Sequence, residues 1–566
     1  MYLQFEIFLL GVNLIEKRKY SLGLDFGTES VRCLVVDMAS GQEKIVSISE
    51  YRDGVITEKI PGTSVVLGNN WALQNPSDWL LSLKEVVHNV LREGDIEPQE
   101  VAGLGICFTS STVLPTTEDG TPLCLLVEWE SDPHAWPKLW KHHAAQPEAD
   151  LINSLAKQEK EPWLKRYGGL ISSEWLFPKA LQIFRESPDC FDAAQRFIEG
   201  GDWLVWQLTG REIRSACQAG YKALWNEKES YPSHLFLEKL SKGFSQLRNK
   251  LAEKVYPVGI HAGKLTSNIA SQLNLLPGTS VGVSIIDAHA AVVGSGVAFP
   301  EKMVLAMGTS TCHMMVSKEE VFIEGVAGVV KDGIIPGLYG YESGQSAVGD
   351  IFAWVANYGL PEEYYNESSK LGISLHELLM EKCINQKPGE HGLLALDWLN
   401  GNRSILMNSH LNGLLMGLTL NTKPEDVYRA MIEATAFGTR LIIDTYEKNG
   451  IVIKELVACG GLTSNKLLLQ VYSDICGLEI KVAASSQTTA LGAAILGAMA
   501  VGSKGGGFDS YEKAIDKMTM PAERVYKPNP HNQSVYSEIF KNYVLLHDFF
   551  GRENPSLMKN LKPVIC

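Results

Sequence analysis

The sequence predicts an α/β protein made of two related domains that face each other across a cleft. Three observations carry this. The chain has 566 residues, more than one domain of roughly 100–200 residues requires. Apolar runs of strand length alternate with stretches of helical periodicity. A strand running into a small-residue turn occurs once in each half, as Gly27-Thr28-Glu29-Ser30 and as Gly308-Thr309-Ser310. The expected division is an N-terminal extension at 1–18, a first domain at 19–279 and a second at 280–566.

The elements follow in order. Ser21 to Leu24 leads into Asp25, and Val31 to Asp37 reads as the returning strand, so the turn between them predicts a hairpin. Ile45 to Ser49 is a third strand. Asn75-Pro76-Ser77-Asp78 is a helix start, with Trp79, Leu83, Val86, Val87, Val90 and Leu91 at helical spacing behind it. Val101 to Phe108 is the next strand, and Val281 to Ile286 another that ends at Asp287. Lys302 to Met307 opens the echo of the first hairpin. Thr422-Lys423-Pro424-Glu425 reads as a capping box for a helix that stops near Asn449-Gly450. A strand at Leu456 to Ala458, a turn at Gly460-Gly461 and a helix from Asn465 to Cys476 complete the pattern.

Composition narrows the class. With 45% hydrophobic and 20% charged residues the chain is an ordinary soluble globular protein. A net charge of −14 argues against nonspecific binding to nucleic acid, which needs a basic surface. The 10 cysteines contain no C-x-x-C pair and several lie in apolar runs, which suits a reducing cytoplasm. The apolar start is followed, not preceded, by Lys17, Arg18 and Lys19, so it reads as a surface extension and not an export signal. The run from Ala490 to Gly502 falls short of the roughly 20 residues that span a membrane.

Several chemistries are excluded. No G-x-x-x-x-G-K-[ST] loop and no G-x-G-x-x-G opening a helix is found. His376-Glu377 starts a zincin-like motif, but Met380 stands where its second His belongs. Gly344-Gln345-Ser346-Ala347-Val348-Gly349 misses the esterase elbow by one residue.

Backbone N–H groups in the turn after Asp25 can cradle phosphate oxygens, with Gly27 allowing close approach and Thr28, Ser30 and Arg32 adding donors. Asp25 can hold a magnesium ion through water. Gly308, Thr309 and Ser310 repeat that chemistry, and Gly460-Gly461 before Asn465 adds a platform for an adenosine. Ala490-Leu491-Gly492-Ala493-Ala494 begins a small-residue helix suited to packing closely beside it. Two phosphate turns and a Gly-Gly platform in this order fit a pair of actin-like ATPase (ribonuclease H-like) domains with an interdomain cleft.

From about Lys19 to the C-terminal region the chain resembles the FGGY carbohydrate kinases, and within them most closely the L-ribulokinase branch. The resemblance rests on blocks in the right order: Gly168 to Trp175, Ala219-Gly220-Tyr221-Lys222-Ala223, Asp287-Ala288-His289, Met307 to His313, Gly340 to Ser346 and Leu396 to Ser404. It implies ATP and magnesium, and a pentulose substrate, L-ribulose or D-ribulose, phosphorylated as in L-arabinose catabolism. It puts the sugar and phosphate side in the first domain and the ATP side in the second. It implies Asp287 as catalytic base and Ser110, Glu174, Lys222, Asp287 and Glu342 as sugar contacts. The nucleotide side takes Asp25, Gly27, Thr28, Ser30, Arg32, Gly308, Thr309, Ser310, Gln345, Gly460, Gly461 and Asn465, with Asp25 also the metal residue. The family usually carries Asp where this chain has Cys107, and a thiol is no strong acceptor. The density of Trp71, Trp79, Trp129, Trp136, Trp140 and Trp175 reads as packing, and His289, His313 and His391 as structural. A homodimer, a kinase for xylulose, glycerol or another ketose, a non-metabolic actin-like ATPase and a sugar-sensing relative without turnover stay open at this stage.

Overall fold

The computed structural model describes residues 18–559; the surface role expected for the extension falls on residues outside that range. The first sheet contains β1 (Tyr20–Phe26), β2 (Ser30–Asp37), β3 (Glu43–Glu50), β4 (Val101–Phe108), β5 (His261–Lys264), β6 (Ser280–Gly282) and β7 (Ile285–Ile286). Its order is β3-β2-β1-β4-β6-β5, with β7 beside β4. The second sheet contains β8 (Lys302–Met307), β9 (Thr311–Ser317), β10 (Gly328–Lys331), β11 (Tyr339–Gln345), β12 (Glu455–Cys459), β13 (Glu479–Val482) and β14 (Arg524–Tyr526). Its order is β10-β11-β9-β8-β12-β13-β14.

The two sheets share one plan. In each, a hairpin and a third antiparallel strand lie on one side of the first strand, and two parallel strands lie on the other. Each closes with an antiparallel edge strand. The internal echo in the sequence is therefore a repeat of topology.

Six helices matter for the site: α1 (Pro76–Glu93), α2 (Ala216–Lys222), α3 (Asp287–Gly294), α4 (Pro424–Lys448), α5 (Lys466–Cys476) and α6 (Thr488–Val501). Asn75 caps α1 by accepting the Ser77 N–H at 2.9 Å, and Trp79, Leu83, Val86 and Val87 are buried on its inner face. At α4 the cap differs from the expected one. Asp426 accepts the Lys423 N–H at 2.9 Å, while the Thr422 hydroxyl accepts from Thr419 N–H outside the helix. The N–H nearest the first turn finds a carboxylate there, which also suits the positive end of the helix.

The expected division at residue 280 falls inside the first sheet. Ser280–Gly282 and Ile285–Ile286 both pair with Val101–Phe108, so the chain leaves that sheet only through α3. The small-residue helix α6, expected beside the Gly-Gly turn, packs chiefly on the first sheet. It follows β13 of the second sheet, yet it packs on β1 and β4 of the first: Ser21 Oγ donates to the Ala494 carbonyl at 2.6 Å. Glycines make the approach possible. A Cβ on Gly105 would stand 1.7 Å from the Ala493 carbonyl oxygen, and one on Gly492 would stand 2.0 Å from that of Ala290. One core cluster accordingly includes residues of both sheets, such as Leu34, Val304 and Ala494. Among the described residues no helix is long and apolar enough to cross a membrane.

This seam predicts that Gly105→Ala destabilises the protein by at least about 1–3 kcal/mol, because the backbones must separate to admit one methyl. Calorimetry on the variant reads this as a lowered unfolding temperature; an unchanged temperature contradicts the close-packed seam.

Candidate active site

The site begins where β1 ends. Asp25 lies opposite Arg32 on one flanking strand and opposite Cys107 on the other. Its carboxylate is 3% exposed and accepts from Arg32 at 3.2 Å, from the Thr489 hydroxyl of α6 at 2.7 Å and from the Cys107 thiol at 3.4 Å. Cys107 is thus a weak donor to the acid and not an acceptor in its own right. Past Asp25 the chain turns tightly, with Gly27 N–H donating to the Ser30 carbonyl at 2.9 Å. Gly308 N–H bonds the Ser310 carbonyl at 2.9 Å across one residue fewer, so each half presents a tight hairpin turn, the second the shorter. Thr28 is held on both sides: Trp140 donates to its hydroxyl at 3.1 Å and Gln74 to its carbonyl at 2.7 Å.

Two buried charges meet between the domains. Lys222, the last residue of α2, donates to both oxygens of Glu342 on β11 at 3.1 and 3.0 Å. Their side chains are only 5% and 4% exposed. Alternation along β11 sends Glu342 to the inner face, while Tyr221, one residue before Lys222, packs against Gly328, Gly333 and Gly340 of the second domain. Arg403 contacts the same carboxylate, and His289 Nε2 lies 3.4 Å from it. Burial alone would raise the Glu342 carboxyl; Lys222, Arg403 and His289 instead hold it down at about 2. Burial pushes His289 down to about 4, leaving a neutral imidazole against Tyr221.

Asp287 is the first residue of α3, at the end of β7, and its carboxylate accepts the Ala288 N–H at 2.6 Å. Burial, followed by the charge of Asp25, lifts its carboxyl to about 7; the Ala288 N–H and Lys222 act in the opposite direction. A carboxyl poised near neutrality is suited to taking a proton from a bound hydroxyl.

The other expected residues fall around this centre. Ser110 is half-buried in the loop after β4. Buried Lys179 pins that loop by donating to the carbonyls of Ser111, Lys138 and Leu139 at 2.5, 3.0 and 2.9 Å. Glu174 is half-buried; its N–H donates to Ser172 Oγ at 3.3 Å, and its charge is felt by Arg403 and Lys179. Gly460 adopts φ +95 and rests on the end of β8, where a Cβ would lie 2.5 Å from the Met307 carbonyl. The Gly-Gly turn therefore adjoins the second phosphate turn, and nothing crowds Gly461. Asn465 caps α5, accepting the Leu468 N–H at 2.9 Å. Gln345 is bonded within the second domain: it donates to Asp397 at 2.7 Å and to the Thr435 carbonyl at 2.8 Å, and accepts from Thr439 at 3.0 Å.

Residue reasoning missed Arg403, Thr489 and Lys179. Arg403 stood inside a quoted block, Gly401-Asn402-Arg403-Ser404, but nothing in local spacing ties it to Glu342. Lys179 sits mid-helix with no motif around it. Of the tryptophans, Trp79 packs edge-on against Phe108 and Trp203, while Trp175 lies 5.6 Å from the Lys222 ammonium and so touches the site. His313 bonds Thr439 and His391 bonds Glu433.

Residues 20–294 match the N-terminal domain of the FGGY family of carbohydrate kinases and residues 303–501 its C-terminal domain. The ribulokinase of Halalkalibacterium halodurans is 48% identical over 546 residues, covering 96% of this chain and 97% of that protein. The ribulokinase of Geobacillus thermodenitrificans is 49% identical over 547 residues, with 96% and 97% covered. Among solved structures, a xylulose kinase from Rhodospirillum rubrum superposes with a TM-score of 0.76 at 18% identity, covering 94% of this chain and 99% of that one, which is a likeness of fold. Family models over both halves of the chain and relatives at 48–49% identity over nearly its whole length establish that the chain belongs to the FGGY family of carbohydrate kinases.

Proposed function

We propose that the protein transfers the γ-phosphoryl group of ATP to the 5-hydroxyl of L-ribulose, with D-ribulose as a second substrate, in the cytoplasm. The observation that carries this reading is the convergence of Lys222, Glu342 and Asp287 at the domain boundary, beside Asp25 and the first phosphate turn. Relatives at 48–49% identity over nearly their whole length bear the name ribulokinase, which supports ribulose over other ketoses.

In this reading Lys222 donates to sugar oxygens and Glu342 accepts from sugar hydroxyls, so a buried polyol finds both kinds of partner. Ser110 and Glu174 line the same pocket. Asp287 accepts the proton of the attacking hydroxyl. A bond forms between that oxygen and the γ-phosphorus, the bond from phosphorus to the β,γ-bridging oxygen breaks, and ADP leaves with the electron pair. Phosphoryl transfer asks chiefly for positioning and charge neutralisation. The turns at Gly27 to Ser30 and Gly308 to Ser310, with Arg32, supply donors to phosphate oxygens, and Gly460, Gly461 and Asn465 form the adenosine side. Gln345, saturated within the second domain, shapes that side from behind. Asp25, the carboxylate beside the first turn, fits a magnesium site of the water-mediated kind, because magnesium travels with nucleotide phosphates through one or two carboxylates. Bound there, the ion would neutralise phosphate charge.

ADP release measured across a panel of ketoses and polyols tests the substrate. The expected result is highest kcat/KM for L-ribulose or D-ribulose; a strong preference for xylulose or glycerol overturns the choice. Asp287→Asn is expected to lower kcat by about 10²–10⁴-fold, the usual contribution of a general base, with ATP binding retained. Normal turnover in that variant contradicts the role of Asp287. The carboxylate is the active form, so kcat/KM for the pentulose rises with pH along a limb near the Asp287 value of about 7 and then levels. A profile that is flat from about pH 6 to 8 contradicts the assignment.

A further inference from the structure

We infer that Arg403 is the positioning residue for the sugar-binding carboxylate: it holds Glu342 in place while Lys222 turns from Glu342 to the substrate. The inference rests on the sugar-site reading above. Both Lys222–Glu342 contacts are made, at 3.1 and 3.0 Å. An ammonium has three donors and Glu342 takes two of them, so serving a second sugar oxygen competes with one of these bonds. A carboxylate with Lys222 as its only partner would follow the ammonium or remain clamped to it, and the sugar would have to break the pair.

Arg403 removes that conflict. One guanidinium nitrogen contacts Glu342 Oε1, and the other lies 3.7 Å from Cys312 Sγ on β9, the strand that leaves the second phosphate turn. The loop carrying it is fixed independently of any ligand. Asn402 and Asn408 exchange backbone hydrogen bonds of 3.0 and 2.8 Å, and Ser404 Oγ accepts the Gly344 N–H at 3.1 Å. Gly344 lets β11 lie close on β9 beside the guanidinium, since a Cβ there would come 2.7 Å from the Thr311 carbonyl oxygen. The Arg403 side chain is 32% exposed against 4% for Glu342. It is therefore the more open of the two cations, and it shares Glu342 Oε1 with the buried Lys222. The planar fork suits this task, because it keeps one N–H on the carboxylate with its orientation set by the other contact.

Steady-state kinetics on Arg403→Met, Arg403→Lys and Arg403→Ala, with Lys222→Met as control, test the role. Arg403→Met is expected to raise KM for L-ribulose about 10- to 100-fold, the weight of one hydrogen bond to a charged group, with KM for ATP within about twofold of the parent. Arg403→Lys, which keeps the charge without the fork, falls between, and added guanidinium ion restores part of the pentulose affinity of Arg403→Ala. A purely structural role would move the KM for ATP and the unfolding temperature as well and would not respond to guanidinium. An unchanged pentulose KM in Arg403→Met, while Lys222→Met loses affinity, overturns the inference and leaves the site reading intact. If Lys222→Met also keeps its pentulose affinity, the site reading itself is at fault.

Discussion

The site depends on a buried ion pair that belongs to neither domain alone. Lys222 comes from a short helix of the first domain and Glu342 from a strand of the second, and each is almost fully withdrawn from water. Desolvating two charges consumes most of what their attraction returns, so such a pair is weak evidence for stability and better evidence for a function that needs both charges. Here each charge is also a hydrogen-bonding instrument, one a donor and the other an acceptor, of the two kinds a polyol requires. In the function proposed above, their placement on opposite domains ties recognition of the sugar to the relative position of the two halves. Closure of such a cleft excludes the water that would otherwise accept the phosphoryl group.

What holds the halves in register is a different kind of contact. Helix α6 belongs by sequence to the second domain and by packing to the first sheet. Gly23, Gly105 and Gly492 let backbone approach backbone where any side chain would intrude. The same helix carries Thr489, whose hydroxyl bonds Asp25. The seam therefore does more than join two cores. It delivers a second-domain group to Asp25, whose charge, set near Asp287 by the first sheet, raises the proton affinity of the latter.

Much of this was legible in the sequence because the signals were local. The two hairpin turns announce themselves as small residues between apolar runs, and Asn75-Pro76 announces α1. The blocks around Lys222, Asp287 and Glu342 were recognisable as a set, although no spacing along the chain reveals that Lys222 meets Glu342. What stayed hidden depends on distant pairing. Ser280–Gly282 belongs to the first sheet only because its hydrogen bonds reach back to β4, so no local cue marks the domain change after α3. The Thr422 cap failed because the helix starts one residue later, with Lys423 as its cap residue and Asp426 taking the Lys423 N–H, while the Thr422 hydroxyl accepts the Thr419 N–H. The nucleotide role expected for Gln345 could not reveal that Asp397, Thr435 and Thr439 already satisfy its amide. Cys107 looked like a lost carboxylate; in the fold it sits under Asp25 as a thiol donor.

The most direct measurement is a crystal structure with L-ribulose and a nonhydrolysable ATP analogue bound together. The account predicts the Asp287 carboxylate within about 2.6–3.2 Å of the sugar's 5-hydroxyl, that oxygen in line with the γ-phosphorus, and sugar oxygens contacting both Lys222 and Glu342. A sugar bound away from Asp287, or an Asp287 turned from the phosphate, would contradict it.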